Sequence, residues 1–175
     1  QPKFGLSVSG SASVNLIKQN TKAALESTTV TGQNGGATKI DVLAVNDTGL
    51  ISISGAAAIT KADAGSSKFS AAIAGAVGYN VVDNDTRAEI SQSDIQNASR
   101  VAVEALSGSE QINVAMGLAI NASAQQGSAG SAAGSFSLAR TKADTQASID
   151  DSTIWSVAGA DDDLVQVVAY DRSHV

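Results

Sequence analysis

Residues 75–95 read GAVGYNVVDNDTRAEISQSDI, and the same pattern recurs in degenerate form at residues 10–30 and 134–154. Each copy opens on a Gly, carries a Thr eleven positions later and has an Ala two positions after that Thr. The offsets between successive copies are 75 − 10 = 65 and 134 − 75 = 59. Repetition at so long a period predicts a repeat architecture. The equivalent sets are Gly10, Gly75 and Gly134; Thr21, Thr86 and Thr145; Ala23, Ala88 and Ala147; Leu25, Ile90 and Ile149; and Val30, Ile95 and Ile154.

The chain outside these positions alternates apolar and small polar residues. Residues 6–16 place Leu, Val, Gly and Ala on one face and Ser and Asn on the other. A period of two predicts half-buried strands with the apolar face inside, and no segment sustains a helical period. Later segments repeat the order, so that Ile40, Val42 and Ala44 align with Val101, Val103 and Ala105 and then with Val165, Val167 and Ala169, while Ile51, Ile53 and Ile59 align with Ile112, Val114 and Ile120.

Polar clusters punctuate this alternation and are typical of turns. They lie at residues 18–21, 33–36, 46–49 and 107–109, and are rich in Asn, Asp, Gly, Ser and Thr. Most length differences between the copies fall in the connections, as expected for loops that leave a fixed scaffold. The sequence therefore predicts an all-β chain with almost no helix.

The favoured architecture is a right-handed parallel β-helix, that is, a β-solenoid. Coils of about twenty residues would give the chain about 8–9 coils and a rod about 40 Å long. Shifting the sequence by the length of one such coil aligns Ile53 with Ile73, which supports that coil length. We expect residues 1–175 to form a single repeat-built domain, a fragment of a longer array with repeats at about 4–68, 69–127 and 128–175. The alternative is an antiparallel β-sandwich with hairpin loops at residues 46–49 and 107–109.

Composition narrows the functional classes. The chain is 43% apolar but only 3% aromatic, so its core must consist of small and β-branched side chains. Its net charge is −6, and the 11 Lys and Arg residues are scattered, so it lacks the basic stripe that nucleic acid or an anionic membrane requires. No Cys is present, which excludes disulfides, thiolate metal sites and a Cys nucleophile. No apolar run is long enough to span a bilayer, and we expect no membrane insertion.

The residues that carry possible chemistry are better explained as turns and loops. Residues 83–85, Asp-Asn-Asp, could ligate Ca²⁺, but the first copy has Lys-Gln-Asn there. The acidic run at residues 161–163 is typical of a solvated loop tip. Asp150 and Asp151 would point to opposite faces of a strand, and His174 lies one residue from the end. We therefore predict no catalytic, cofactor-binding or metal-binding residues, and no cofactor.

A family resemblance rests on a series of short matches: SVNLI at 13–17, NTKA at 20–23, STTV at 27–30 and IDVLA at 40–44, with a second copy around YNVV at 79–82 and DTRA at 85–88. The pattern resembles the repeats of leukotoxin-type filamentous adhesins, which are large secreted proteins of Gram-negative bacteria similar to filamentous haemagglutinin. The resemblance implies a right-handed β-helix, export by a type V route and display on the cell surface or release from it. The third copy departs from the pattern, because Arg140 and Thr141 replace Val81 and Val82, and this departure could mark a bend or a contact surface.

The favoured function is a non-enzymatic structural or adhesive segment of a secreted surface filament or toxin-like adhesin. Its partners would be neighbouring repeats and a host or bacterial surface receptor or glycan. The alternatives are a β-helix polysaccharide-active enzyme, a carbohydrate-binding module and a flat Thr array that binds an ordered ligand such as ice. Trp155 and Tyr170 could stack on a sugar, although closure of the last coil is the favoured role for both.

Overall fold

The computed structural model describes residues 3–32, 36–62, 67–123, 128–157 and 164–174. These residues form strands and no helix. All the strand pairs are parallel: β4 lies between β1 and β6, and β5 lies between β2 and β3 on one side and β7 and β8 on the other. The predicted parallel β-solenoid is confirmed, and the antiparallel sandwich is excluded. The strands are β1 (Lys3–Glu26), β2 (Thr29–Thr31), β3 (Thr38–Ala62), β4 (Ser67–Ser91), β5 (Asp94–Ser123), β6 (Ser128–Asp150), β7 (Thr153–Ser156) and β8 (Val165–His174).

One coil of the solenoid is one whole repeat. Gly10 pairs with Gly75 and Gly75 with Gly134, so each offset between copies is a single coil step. The expected 8–9 coils of about twenty residues are wrong, because the described chain winds through three long coils. The shift that aligns Ile53 with Ile73 is likewise no coil step, since Ile53 pairs with Val114 and Ile73 with Val8. Five long sides of the coils are single strands of 23 to 30 residues, and the second side of the third coil is β8 with 10 residues.

The molecule is a flat slab made of two facing sheets. Ser13 of β1 faces Ser52 of β3 at 3.3 Å between their hydroxyl oxygens, and the Thr48 hydroxyl donates to Gln19 Oε1 at 2.6 Å. Ser13 faces Ser52 and Gln19 faces Thr48, so residue numbers rise along β1 in the direction in which they fall along β3. The two strands of a coil therefore run in opposite directions. Three coils stacked at about 4.8 Å are only about 15 Å high, whereas a 24-residue strand extends about 80 Å. The expected rod, elongated along the stacking direction, is therefore also wrong.

The accessible surface agrees with this shape. The chain exposes 10548 Å², whereas a compact protein of 17.5 kDa exposes about 7,900 Å². A two-layer slab has no deep interior, and the excess surface is the direct result.

Three of the four predicted turns lie inside continuous strands. Residues 18–21 belong to β1, 46–49 to β3 and 107–109 to β5, while residues 33–35 lie outside the described part of the chain. Asn46 and Thr48 are buried between the sheets, where the Thr48 hydroxyl lies 3.2 Å from Asn46 Oδ1. These positions are therefore strand rather than turn, and the inward residues Gln19, Asn46 and Thr48 form a hydrogen-bonded group between the sheets.

The real corner of each coil follows β1, β4 and β6. Its central residue has a left-handed backbone in all three coils, with φ of 50° at Ser27, 49° at Gln92 and 45° at Asp151. The Ser27 N–H donates to Ser91 O at 3.0 Å, and the Gln92 N–H donates to Asp150 O at 3.1 Å. These bonds tie each corner to the next coil. The following residue closes each corner with a hydroxyl bond of 2.8 Å to the carbonyl two residues earlier, as seen at Thr28, Ser93 and Ser152.

The main hydrophobic core lies beside this corner. Ile90 and Ile95 are fully buried, and Leu25, Ile149 and Ile154 of the outer coils pack against them. The predicted burial of these aliphatic positions and the predicted small, β-branched core are confirmed. The buried members of the core are Val42, Ala44, Ala88, Ile90, Ile95, Ala98, Val101, Val103 and Ala105.

The departure from the pattern in the third copy does not bend the chain. Strand β6 runs without interruption through Arg140 and Thr141. Arg140 points outward, and Thr141 points inward, where its hydroxyl accepts a bond of 2.6 Å from Gln111 Nε2. Thr141 thus replaces the buried Val82 of the middle coil with a hydrogen-bonded polar contact.

Candidate functional surface

Away from the corner, the long strands place large aliphatic residues outside and small residues inside, which is the reverse of the predicted arrangement. We call this region the distal half, and define it as residues 6–16, 51–59, 73–81, 112–120 and 130–138. Its large aliphatic side chains point outward, and Leu6 is 60% and Ile53 67% exposed. Its inward side chains are Ser, Ala, Asn and Gly, and Asn80 is almost fully buried. The prediction that the apolar face of residues 6–16 is inside is therefore wrong.

The narrow gap between the two sheets explains this inversion. A Cβ built on Gly117 would lie 2.8 Å from Gly134 O, and one on Gly78 would lie 3.5 Å from Ser54 Oγ of the facing sheet. So little space admits only small inward side chains, and the large aliphatic residues must lie on the outer surfaces.

Some of the inward polar groups bond to one another across the gap and between coils, while the buried Ser11 Oγ, Ser54 Oγ and Asn113 Oδ1 have no such partner among the described residues. Asn15 Nδ2 donates to Asn80 Oδ1 of the next coil at 2.7 Å and lies 3.2 Å from Ser52 Oγ of the facing sheet. Just beyond the distal half, Asn121 Nδ2 donates to Ser70 O at 2.8 Å. These contacts offset part of the cost of burying amides and hydroxyls between the sheets.

Two apolar outer surfaces result. The front face is the outer surface of β1, β4 and β6 in the distal half, and the back face is that of β3 and β5. The large exposed side chains of the front face are Leu6, Val8, Val14, Leu16, Ile73, Val77, Tyr79, Phe136 and Leu138. Those of the back face are Ile51, Ile53, Ile59, Ile112, Val114, Met116, Leu118 and Ile120. None of the outward positions of the distal half is charged.

Charged side chains lie instead on the outer surface near the corner. Lys22 Nζ lies 2.5 Å from Glu26 Oε1 and 2.8 Å from Glu89 Oε1 of the next coil. These hydrogen bonds, the one to Glu26 first, raise the pKa of Lys22, and the bond from Lys22 lowers the pKa of Glu26. Lys142 and Asp83 lie 3.7 Å apart across the next pair of coils. The outer surface is thus charged near the corner and apolar across the distal half, and Lys61 is exposed beyond the distal half near the end of β3.

Residues 83–85 do not form a cation site. Asp83 points toward Lys142, Asn84 is buried and hydrogen-bonds to Thr48, and Asp85 pairs with Arg87 at 3.0 Å. Because the three side chains alternate between faces, their oxygens do not converge. In the described residues no group of three or more His, Cys, Asp or Glu side chains could hold a metal ion. The acidic run at 161–163 lies outside those residues.

The other singled-out residues are dispersed. Asp150 ends β6, Asp151 occupies the corner, and His174 ends β8. Trp155 is 62% and Tyr170 57% exposed, so the expectation that they close the last coil is wrong.

The threonines that recur in every copy do not form an outer array. Thr21, Thr86 and Thr145 all point inward, and Thr86 is fully buried. A flat threonine surface for ice is therefore not formed by these positions.

No protein-family model matches the sequence. Neither a curated protein nor a solved structure matches it. A search of the described ranges finds no helix that is both long and apolar enough to cross a membrane.

Proposed function

We propose that this chain is a non-enzymatic structural or adhesive segment of a large secreted bacterial surface filament or toxin-like adhesin. One observation carries the proposal. Three coils stack in register, and in the described residues β1 and β6 each pair with β4 alone. Both ends of the stack therefore offer a strand edge on which a further coil can form the same hydrogen bonds.

The contacts between coils repeat in kind, which suits extension. At the corner the Thr28 N–H donates to Ser93 Oγ at 3.3 Å between the first and second coils, and the Ser93 N–H donates to Ser152 Oγ at 3.1 Å between the second and third. In such a stack each coil contacts only its neighbours, so coils can be added without rebuilding the core. A length that can grow by whole coils is what a filament requires.

Inserting a second copy of residues 10–74 between Ser9 and Gly10 tests the structural part of this proposal. The lengthened chain should remain strand-rich and melt in one transition at a temperature no lower than that of the parent. Inserting only residues 10–36 adds an incomplete coil, and should unfold the protein or split its transition. If the whole-coil insertion also unfolds, stacking does not extend and the filament role is lost. Cleavage of acidic polysaccharides by the parent chain would overturn the non-enzymatic part.

Exposure of Trp155 and Tyr170 on the last coil favours one competing function, a carbohydrate-binding module. Such modules stack exposed aromatic rings on sugars. Trp155 is the single Trp of the chain, so its fluorescence reports on this position alone. A saturable change in that fluorescence with soluble polysaccharides would support glycan binding at Trp155. An unchanged spectrum across a polysaccharide panel would remove this alternative.

A further inference from the structure

We propose that the front face is a docking surface for a second copy of this chain. The front face exposes enough apolar area for an interface between two copies. The nine large front-face side chains defined above are 40–69% exposed. At roughly 100 Å² each they present about 900 Å² of apolar surface, whereas a standard interface takes about 800 Å² from each partner and monomers rarely expose patches above a few hundred. The area is therefore sufficient for a stable dimer.

The front face also lacks charged side chains that would repel a second copy. A chain with a net charge of −6 repels its own copy unless the contacting surfaces are neutral. The outward positions of residues 6–16, 73–81 and 130–138 carry no ionisable group except Tyr79, while the paired Lys22, Glu26 and Glu89 lie beyond them near the corner. Two front faces can therefore meet without placing like charges together.

The front face also contains a groove that a second copy could occupy. Gly10, Gly75 and Gly134 stack in register and form a groove across the three strands of the front face. A Cβ added at Gly75 would meet only Gly134 O at 4.0 Å, and one added at Gly134 would meet nothing within 4 Å. Packing within the chain thus leaves this groove open to a partner.

Residue sizes on the two sides of the groove are complementary at most of the facing positions. A two-fold axis along the glycine row places each strand against its own copy, running in the opposite direction. Residues equally spaced from the glycine then meet. In β4 the large Tyr79, four residues after Gly75, faces the small Ala71, four residues before it. The same relation holds for Phe136 with Ala132, Leu138 with Gly130 and Val8 with Ala12. The same axis brings Ile73 against Val77 and Leu6 against Val14, where two aliphatic side chains meet. Large therefore meets small in four of these six pairs, and aliphatic meets aliphatic in the other two, as the self-matching surface of a two-fold interface allows.

This pairing does not depend on the proposed function, because it uses the surface of a sheet, whereas coil addition uses the sheet edge. It therefore predicts which residues lie close across the dimer. On the axis, Gly75 of one copy lies against Gly75 of the other. Association through the edges would instead bring β6 of one copy beside β1 of the next.

Crosslinking tests this geometry cleanly because the chain has no Cys. A Gly75→Cys variant treated with a short bifunctional maleimide should yield covalent dimer in high proportion. The matched control is Gly55→Cys on the back face, where an added Cβ would meet only Met116 O, at 3.8 Å. The control should stay monomeric under the same treatment. Equal crosslinking of both variants, or none with Gly75→Cys, would overturn the proposal.

Sedimentation equilibrium supplies a second readout. Gly75→Val should keep the strand-rich circular dichroism spectrum and raise the dimer dissociation constant at least tenfold, because two branched side chains collide on the axis. Gly55→Val should leave that constant within twofold of the parent value. A parent chain that is monomeric at every concentration would refute self-docking. Binding of monomers to phosphatidylcholine vesicles would also refute self-docking if Val77→Asp prevents that binding and Ile53→Asp does not. The front face would then bind a lipid surface and not a second copy.

Discussion

Replacing Ile90 with Ala should lower the free energy of unfolding by about 3–4 kcal/mol. Ile90 is fully buried in the core beside the corner, where Ile95 and Val103 are also fully buried. The substitution removes three carbon atoms, and the loss of their transfer free energy costs about 2.4 kcal/mol at about 0.8 kcal/mol per methylene. A residual cavity of roughly 50 Å³ adds about 1.2 kcal/mol. The total falls within the range seen for such core truncations.

Urea unfolding followed by circular dichroism measures this change. The midpoint should fall while the denaturant slope stays constant, because the surface exposed on unfolding hardly changes. The matched control is Ile53→Ala, which removes the same atoms from a side chain that is 67% exposed. We expect it to cost less than about 0.5 kcal/mol. If the control costs as much as Ile90→Ala, the aliphatic residues of the distal half are inside, and the inverted alternation is refuted.

Three further changes test the corner, the coil and the surface charges. Asp151→Gly should raise the free energy of unfolding by about 1 kcal/mol, because Gly adopts the φ of 45° without strain; a lower urea midpoint would contradict this. Deleting residues 10–74 joins Ser9 to Gly75 and removes one whole coil, so the product should melt cooperatively at a lower temperature, whereas deleting residues 10–36 should unfold it. Because the pKa of Glu26 is lowered in the folded state, Glu26 stabilises the fold above pH 4.5, and this stabilisation is lost as the pH falls through its folded-state pKa. Because the pKa of Lys22 is raised, Lys22 stabilises the fold below pH 10.5, and this stabilisation is lost as the pH rises through its folded-state pKa. Glu26→Gln should therefore melt slightly below the parent at neutral pH and low salt, and together with it in acid; a difference that persists in acid would contradict the ion pair.

The equivalence of the copies could be predicted from the sequence, because strands that stack in register keep the same residue at the same place. Gly10, Gly75 and Gly134 pair as their spacing indicated, and Leu25, Ile90 and Ile149 pack together. The number of coils could not be predicted in this way. The long period that separates the copies is compatible with three short coils or one long coil, and only the length of the strands distinguishes them.

The sequence underpredicts the length of β1, because turn-forming residue types occupy a polar interior in this strand. Gln19, read as part of a turn, accepts a bond from Thr48 in the facing sheet. Asn, Ser and Thr serve both turns and buried polar layers, so composition alone does not separate the two.

The inversion of the distal half nevertheless left a signal in the sequence. Lys18, Lys22 and Glu26 all have even numbers, as do Leu6 and Leu16. In one unbroken strand, residues of the same parity share a face. Charged side chains belong in water, so the even face of β1 must be the outer face along its whole length, and the aliphatic residues must be outside with it. A turn assigned at residues 18–21 breaks this chain of reasoning, because the parity restarts after a turn.

The unbroken alternation of faces gives the two parts of each long strand different roles, one in stability and the other in association with a partner. Near the corner, aliphatic residues lie inside and supply the core, as Ile90 and Val101 do. In the distal half the same pleat puts Val77 and Leu138 outside, so their transfer free energy is not gained when the chain folds alone. That free energy is gained only when another surface covers them. The residues that contribute least to folding are therefore those with most to contribute to association, and substitutions on the front face should separate the two properties.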